Sequence, residues 1–189
     1  AVFAHVAATG YRGVNVTYPY KERAASKVVV DDPLVRAIGA VNTVVFDEGG
    51  PHGFNTDYSG FIAAYRRVRG DLAPGPVLMI GAGGVGKAVA FGLVALGLSE
   101  IRIVDRDLPK AKGLADALIA ARPGLVALTG TDATALAAGT SGIINCTPVG
   151  MVGYDGTPLA RAFMTGAAWV FDAVYTPVDT QFLQDAAAE

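Results

Sequence analysis

The chain has 189 residues, of which 52% are apolar and 17% are charged, and its formal net charge is −2. This balance predicts a packed globular protein and excludes a disordered one, which needs few apolar residues and a high net charge. The slight negative charge argues against a nucleic-acid partner, which requires a basic face. His5, His52 and the single cysteine, Cys146, are too few and too scattered for a metal site or a disulfide framework. No apolar stretch reaches the ~20 residues of a spanning helix, so we expect a cytoplasmic protein with no membrane partner.

The first part of the chain has an irregular pattern. It predicts a strand, a β-hairpin and a helix, at residues 13–17, 41–55 and 56–69. The strand is expected to end before Pro19, because proline cannot donate a hydrogen bond to a central ladder. Thr56 and Asp57 are typical N-cap residues for the amphipathic helix that follows them.

Beyond residues 71–76, a segment rich in Pro and Gly that predicts a linker, strands and helices alternate regularly. Short apolar strands are expected at residues 77–80, 101–104, 125–128, 142–145 and 169–173. Helices are expected at residues 85–96 and between Asp107 and Pro123. Repeated βα units with buried apolar strands predict an α/β fold with a Rossmann-type, doubly wound parallel sheet.

A glycine loop lies between the first of these strands and the first helix. Gly81, Gly83 and Gly86 have the G-x-G-x-x-G spacing, in the strand–helix context that favours dinucleotide binding over an ordinary glycine-rich turn. Gly81 permits the tight turn, Gly83 lets the backbone approach a pyrophosphate, and Gly86 lets helix and strand pack closely. A magnesium-binding P-loop is excluded by Ala88, because that motif requires Ser or Thr there.

The end of the second strand bears on the choice of cofactor. Asp105 lies about 20 residues beyond the loop, where a carboxylate hydrogen-bonds the adenine ribose hydroxyls of NAD. The same charge would repel the 2′-phosphate of NADP, so the sequence favours NAD. NADP remains the alternative cofactor because of Arg106, since an arginine at this point can accommodate that phosphate. A solvated turn residue is the alternative interpretation of Asp105.

Three polar clusters precede the linker, at residues 13–21, 39–43 and 55–57. Together they offer one amine, Lys21, one carboxylate, Asp57, and several neutral polar groups, a set that suits a small polyhydroxylated ligand. Oxidation of an alcohol needs a partner for the hydroxyl proton, and Lys21 with Asp57 beside it is a candidate. From spacing alone, two alternative interpretations remain: Lys21 is an ordinary surface lysine, and Asp57 is a plain helix N-cap.

Six motifs resemble those of the shikimate dehydrogenase family, most closely its NAD-preferring quinate/shikimate dehydrogenase branch: GVNVTYPYK, GAVNT, NTDYSGF, GAGGVGKAVA, NCTPVGM and DAVYTPVDTQFL. The resemblance covers essentially the whole chain. It implies that Lys21 is the catalytic acid/base and Asp57 its partner, with substrate contacts from Thr17, Asn42, Asp57 and Tyr175. Together with the charge argument, it predicts a cofactor site made of Gly81, Ala82, Gly83, Gly84, Val85, Gly86, Asp105, Arg106, Thr147, Pro148, Val149 and Val174.

The resemblance implies a partial substrate-binding catalytic domain at residues 1–73, a dinucleotide-binding domain at 74–176, and the start of a return into the first domain at 177–189. The expected reaction is NAD-dependent interconversion of shikimate with 3-dehydroshikimate, or of quinate with 3-dehydroquinate, in a monomer or homodimer. An NADP-dependent shikimate dehydrogenase and a non-catalytic quinate- or shikimate-sensing domain are the alternatives. The family's serine-containing first strand and its glutamine-bearing last helix have no counterpart here, and Gln181 is not that glutamine.

Overall fold

The computed structural model describes residues 2–17 and 20–189, and the chain divides into two compact units, Ala1–Gly70 and Asp71–Glu189. Pro19, expected to end the first strand, lies outside the described residues. Within the described ranges, no helix combines the length and the apolar character needed to cross a membrane.

A three-stranded antiparallel sheet of order β1-β2-β3 organises the first unit. In chain order its elements are α1 Val2–Ala8, β1 Gly13–Asn15, α2 Lys21–Ala25, α3 Pro33–Ile38, β2 Thr43–Asp47, β3 Gly50–Phe54 and α4 Thr56–Arg69. The predicted hairpin is confirmed, with Val44 paired to Gly53 and fully buried. The first strand is shorter than predicted. It ends at Asn15, and Val16 N–H donates instead to the Asn42 carbonyl at 2.8 Å.

The start of α4 corrects the prediction that Thr56 or Asp57 caps this helix. Asn55 is the N-cap residue, and its Oδ1 accepts a hydrogen bond from Tyr58 N–H at 3.1 Å. Asn55 is buried, and its Nδ2 donates to the Ala40 carbonyl at 3.0 Å. The tertiary contact with Ala40 selects this asparagine as the cap, and Asp57 therefore lies within the first helical turn.

Five parallel strands of order β6-β5-β4-β7-β8 form the sheet of the second unit. Its elements are β4 Val77–Ile80, α5 Gly84–Ala95, β5 Glu100–Val104, α6 Leu108–Ala121, β6 Val126–Gly130, α7 Thr134–Ala137, β7 Gly142–Asn145, a 3₁₀ turn at Arg161–Phe163, β8 Trp169–Asp172 and α8 Gln181–Ala187. The predicted strands are confirmed to within two residues at each end, and so is the doubly wound sheet. Strand order reverses at β4, and such a switch point is where α/β sheets of this kind bind ligands.

The last helix packs within the second unit. Phe182 of α8 is fully buried in a cluster that includes Leu78, Ile143 and Leu159. Thr180 caps the helix, because its Oγ1 accepts a hydrogen bond from Leu183 N–H at 3.3 Å. The return of residues 177–189 into the first domain stays a prediction.

Two glycines allow the close approach of β4 and α5. Gly81 has a φ of +104°, and a Cβ there would lie 2.8 Å from the carbonyl carbon of Cys146. A Cβ on Gly86 would lie 2.1 Å from the Gly81 carbonyl oxygen. Both neighbours are backbone atoms, which cannot rotate away. The predicted tight turn and close packing are therefore confirmed.

We expect Gly86→Ala to destabilise the second unit by about 1–3 kcal/mol, because the backbone of α5 must move away from β4. Urea unfolding followed by circular dichroism measures this change. Gly113→Ala is the matched control, since a Cβ at Gly113, inside α6, meets nothing within 4 Å. At position 113, alanine should raise the free energy of unfolding by roughly 0.5–1 kcal/mol. A Gly86→Ala protein as stable as the original would contradict the close packing.

Candidate active site

An ion pair in the first unit joins two predicted catalytic residues. Lys21 is the first residue of α2, and its Nζ donates a hydrogen bond to Asp57 Oδ2 at 2.8 Å. The two side chains are 24% and 33% exposed. The contact is a charge-assisted hydrogen bond, and it fixes the direction of the lysine side chain. It thus holds a nitrogen able to exchange protons at a partly accessible position.

Backbone hydrogen bonds bring together the three polar clusters named above. Val41 N–H donates to the Lys21 carbonyl at 3.1 Å. Asn42 N–H donates to the Phe54 carbonyl at 3.0 Å, while the Asn42 carbonyl accepts the hydrogen bond from Val16. Residues far apart in the sequence are therefore held by main-chain contacts, which do not depend on flexible side chains.

The Asn42 side chain is fixed against the start of α4. Its Oδ1 accepts a hydrogen bond from Thr56 N–H at 2.9 Å, and its Nδ2 donates to Thr56 Oγ1 at 2.8 Å. Thr56 immediately precedes Asp57. The structure therefore brings Asn42 to the same end of α4 as the ion pair.

Thr17 is placed differently. It is exposed, and with Asn15 and Tyr20 it lines a groove of about 990 Å³ in the first unit. Neither Lys21 nor Asp57 is among the described residues that line this groove. Thr17 follows Val16, so its backbone begins beside Asn42, and the residue belongs to the lining of the groove.

The start of α5 in the second unit is shaped to receive an anion. Gly83 is the N-cap residue, and the first N–H groups of a helix have no intrahelical partner. A Cβ on Gly83 or on Gly84 would meet open space, so a ligand can approach the backbone there. These features fit a pyrophosphate held by N–H groups and the positive end of the helix dipole.

Asp105 is fixed beside this loop by two backbone donors. Its Oδ2 accepts a hydrogen bond from Ala82 N–H at 2.7 Å, and its Oδ1 accepts one from Asp107 N–H at 2.9 Å. Arg106 is exposed. The carboxylate therefore has a defined position at the end of β5, next to the glycine loop.

A cavity of about 260 Å³ lies where the chain leaves β7 and β8. It is lined by Val85, Cys146, Thr147, Pro148, Met151, Ala173, Val174, Tyr175 and Thr176. Five of these were predicted from the sequence as cofactor or substrate residues: Val85, Thr147, Pro148, Val174 and Tyr175. Val149 does not line the cavity, but its carbonyl accepts a hydrogen bond from Asn145 Nδ2 at 3.0 Å. Sequence reasoning missed Met151, although it ends the NCTPVGM motif.

The surroundings of Cys146, the cysteine beside the cavity, disfavour its thiolate form. Burial raises the pKa of the Cys146 thiol, and the nearby charge of Asp172 raises this pKa further. The thiol therefore stays protonated at neutral pH, whereas a nucleophilic cysteine must be a thiolate.

Comparison with known proteins adds to this geometry. A family model of the shikimate dehydrogenase substrate binding domain matches residues 1–44. The chain is 39% identical over 184 residues to the quinate/shikimate dehydrogenase (NAD(+)) of Corynebacterium efficiens, covering 95% of this chain and 64% of that protein. It is 44% identical over 180 residues to the shikimate dehydrogenase (NADP(+)) of Haloarcula marismortui, again covering 95% and 64%.

The fold matches the structure of quinate dehydrogenase from Corynebacterium glutamicum in complex with NAD, with a TM-score of 0.90 and 34% identity. This match covers 99% of the present chain and 67% of that one. The chain spans 64% of the length of the two curated relatives, slightly less than two thirds. The motifs, the two units and these similarities lead to one conclusion: the chain belongs to the shikimate dehydrogenase family.

Proposed function

We propose that the protein is an NAD-dependent oxidoreductase that interconverts shikimate with 3-dehydroshikimate, quinate with 3-dehydroquinate, or both. The observation that carries this proposal is the 2.8 Å hydrogen bond between Lys21 and Asp57. It joins the two residues that the family resemblance assigns to proton transfer. The named activities of the two Corynebacterium relatives support the substrate class and the cofactor.

Lys21 is the proposed acid/base. In the oxidative direction Lys21 Nζ accepts the hydroxyl proton, while the carbon–hydrogen bond breaks and the C–O bond becomes a carbonyl. A nicotinamide cofactor, when bound, would supply the acceptor for the hydride that the carbon loses. Asp57 accepts a hydrogen bond from Nζ throughout and so keeps the nitrogen lone pair directed at the hydroxyl. In the reductive direction Lys21 returns the proton.

The second unit supplies the proposed cofactor site. The N–H groups at the start of α5, over Gly83 and Gly84, suit the pyrophosphate. Asp105 is held by the Ala82 and Asp107 amides, and its carboxylate suits the adenine ribose hydroxyls. A 2′-phosphate would meet the same negative charge, which favours NAD. The loops around Thr147 to Val149 and at Val174 suit the nicotinamide side.

Neutral polar side chains suit the proposed substrate. Asn42 carries an amide group, which exchanges hydrogen bonds with ring hydroxyls without adding charge, and the resemblance assigns the same role to the hydroxyl groups of Thr17 and Tyr175. Tyr175 is 83% exposed, so its phenol is available to a ligand. NADP use is the second candidate, because Arg106 is exposed at the end of β5 and the Haloarcula relative is named for NADP(+).

Steady-state kinetics with shikimate and with quinate, each with NAD⁺ and with NADP⁺, tests the proposal. We expect reduction of NAD⁺ with at least one of the two acids, and a higher kcat/KM with NAD⁺ than with NADP⁺. A strong preference for NADP⁺ would show that Arg106 outweighs Asp105. Binding of quinate or shikimate without reduction of either cofactor would instead favour a sensing domain.

Replacing Lys21 with Ala should lower kcat by about 10²–10⁴-fold, because the positioned proton acceptor is lost. The dissociation constant for NAD⁺ should stay unchanged, as measured by isothermal titration calorimetry. Lys112→Ala is the matched control, since Lys112 is an exposed lysine of α6 and its loss should leave turnover unchanged. Near-normal turnover of Lys21→Ala would rule out the acid/base role.

Asp105→Asn tests the basis of cofactor choice. The asparagine carbonyl can still accept the hydrogen bond from Ala82, but the charge and the acceptor for Asp107 N–H are lost. We expect the ratio of kcat/KM for NAD⁺ over NADP⁺ to fall by at least about tenfold, because the repulsion of the 2′-phosphate is removed. Asp107→Asn is the control, as Asn also caps α6, and it should leave the ratio unchanged. Equal ratios in the Asp105→Asn and original proteins would contradict the proposal that the charge of Asp105 sets the preference for NAD⁺.

A further inference from the structure

A buried amide in the second unit uses its whole hydrogen-bonding capacity. Asn145 ends β7 and is 0% exposed. Its Nδ2 donates to the Val149 carbonyl at 3.0 Å and to Asp172 Oδ1 at 2.9 Å. Its Oδ1 accepts hydrogen bonds from Thr147 N–H at 3.0 Å and from Thr147 Oγ1 at 2.7 Å. A flipped amide would place its oxygen against two acceptors, so the side chain has a single orientation.

Asp172 connects this amide to two further segments. It ends β8, where it pairs with Asn145 in the sheet. Its Oδ1 also accepts a hydrogen bond from Val174 N–H at 2.9 Å, and its Oδ2 accepts one from Thr180 Oγ1 at 2.7 Å. Thr180 is 1% exposed and caps α8. One carboxylate thus fixes the loop after β8 and the start of α8 relative to Asn145.

Asn145 and Asp172 form a pair that holds the loops after β7 and β8, and both loops line the 260 Å³ cavity. Thr147 and Val174 each line it and each bond directly to the pair, whereas Asn145 and Asp172 themselves do not line it. The Thr147 hydroxyl donates its proton to Asn145 and accepts a hydrogen bond from Val149 N–H at 3.2 Å. Its remaining lone pair can therefore only accept from a ligand.

The position of the cavity in the sheet suggests which half of a dinucleotide it receives. Asp105, which suits the adenine ribose, lies just after β5, and β5 pairs with one side of β4. The cavity lies where the chain leaves β7 and β8, on the other side of β4. In doubly wound sheets the dinucleotide crosses the switch point, so its second half lies on the opposite side. The cavity accordingly belongs to the nicotinamide half.

We propose that Asn145 and Asp172 are positioning residues, which hold the two cavity-lining loops in the conformation that binds the nicotinamide half of the cofactor. This inference rests on the proposed use of a dinucleotide. The pair acts through Thr147 and Val174, so its loss should weaken binding of the nicotinamide half and leave the adenosine half unaffected. A purely stabilising network would affect both halves together.

The test compares two ligands on the purified protein by isothermal titration calorimetry. NAD⁺ carries both halves, and ADP-ribose lacks the nicotinamide. For Asp172→Ala we expect about tenfold weaker NAD⁺ binding and unchanged ADP-ribose binding, because three donors, on Asn145, Val174 and Thr180, lose their acceptor. Asp172→Asn keeps the shape and one acceptor oxygen facing Asn145 and Val174, so it should bind NAD⁺ nearly as well as the original protein.

Two further variants keep the test decisive. Thr180→Val is nearly isosteric and removes the bond to Asp172 Oδ2 together with the cap bond from Leu183 N–H, so it should fold and should weaken NAD⁺ binding to a smaller extent than Asp172→Ala. Thr140→Val is the control, because this buried hydroxyl bonds to the Ala137 carbonyl at 2.8 Å, before β7, and does not line the cavity. It should leave both affinities unchanged.

The outcomes separate this inference from the proposed function. If Asp172→Ala loses NAD⁺ and ADP-ribose affinity equally, or loses neither, the positioning role is overturned while dinucleotide binding stands. If Asp172→Asn is as weak as Asp172→Ala, the charge acts directly and positioning is again overturned. If the unaltered protein binds neither NAD⁺ nor NADP⁺, the proposed function and this inference both fail.

Discussion

The parallel register around β4 determines where the candidate cofactor residues lie. Ile80 pairs with Val104 on one side and with Asn145 on the other, and Asn145 pairs with Asp172. Because the carboxyl ends of parallel strands meet at one edge, the glycine loop, Asp105 and the two cavity-lining loops all begin from this row. Both β4 and β7 are buried along their whole length, and the side chains of β4 together with Ile143 and Ile144 of β7 fill the interior of the unit. The same packing that stabilises the sheet therefore places the binding groups.

The first unit positions the Lys21–Asp57 pair in a different way. A partly exposed ion pair contributes only about 0–1 kcal/mol to stability, so the contact between Lys21 and Asp57 does not hold the unit together. Its geometry comes from the hydrogen bonds that Lys21, Val41 and Asn42 make through their backbones, and from the cap of α4 at Asn55. The scaffold holds the pair, which leaves the lysine nitrogen available for chemistry.

The pattern of the sequence predicted the second unit well, because each of its strands contains a short apolar run and the strands alternate regularly with helices. It predicted the first unit poorly. Helices α2 and α3 have five and six residues, too few to show a helical period, although Asp32 followed by Pro33 is a recognisable helix start. The roles of Lys21 and Asp57 came from motif resemblance, since a bond between residues 36 positions apart leaves no local signal. The bond between Asn145 and Asp172, which are 27 positions apart, was not predicted for the same reason.

The central claim is that Lys21, directed by Asp57, exchanges the proton of the reacting hydroxyl. A crystal structure of the protein with NAD⁺ and shikimate tests it most directly. The account predicts Lys21 Nζ at about 2.6–3.2 Å from a ring hydroxyl of the bound acid, with the hydrogen bond to Asp57 retained. A bound acid whose hydroxyls contact other residues, with Lys21 directed into solvent, would contradict the account.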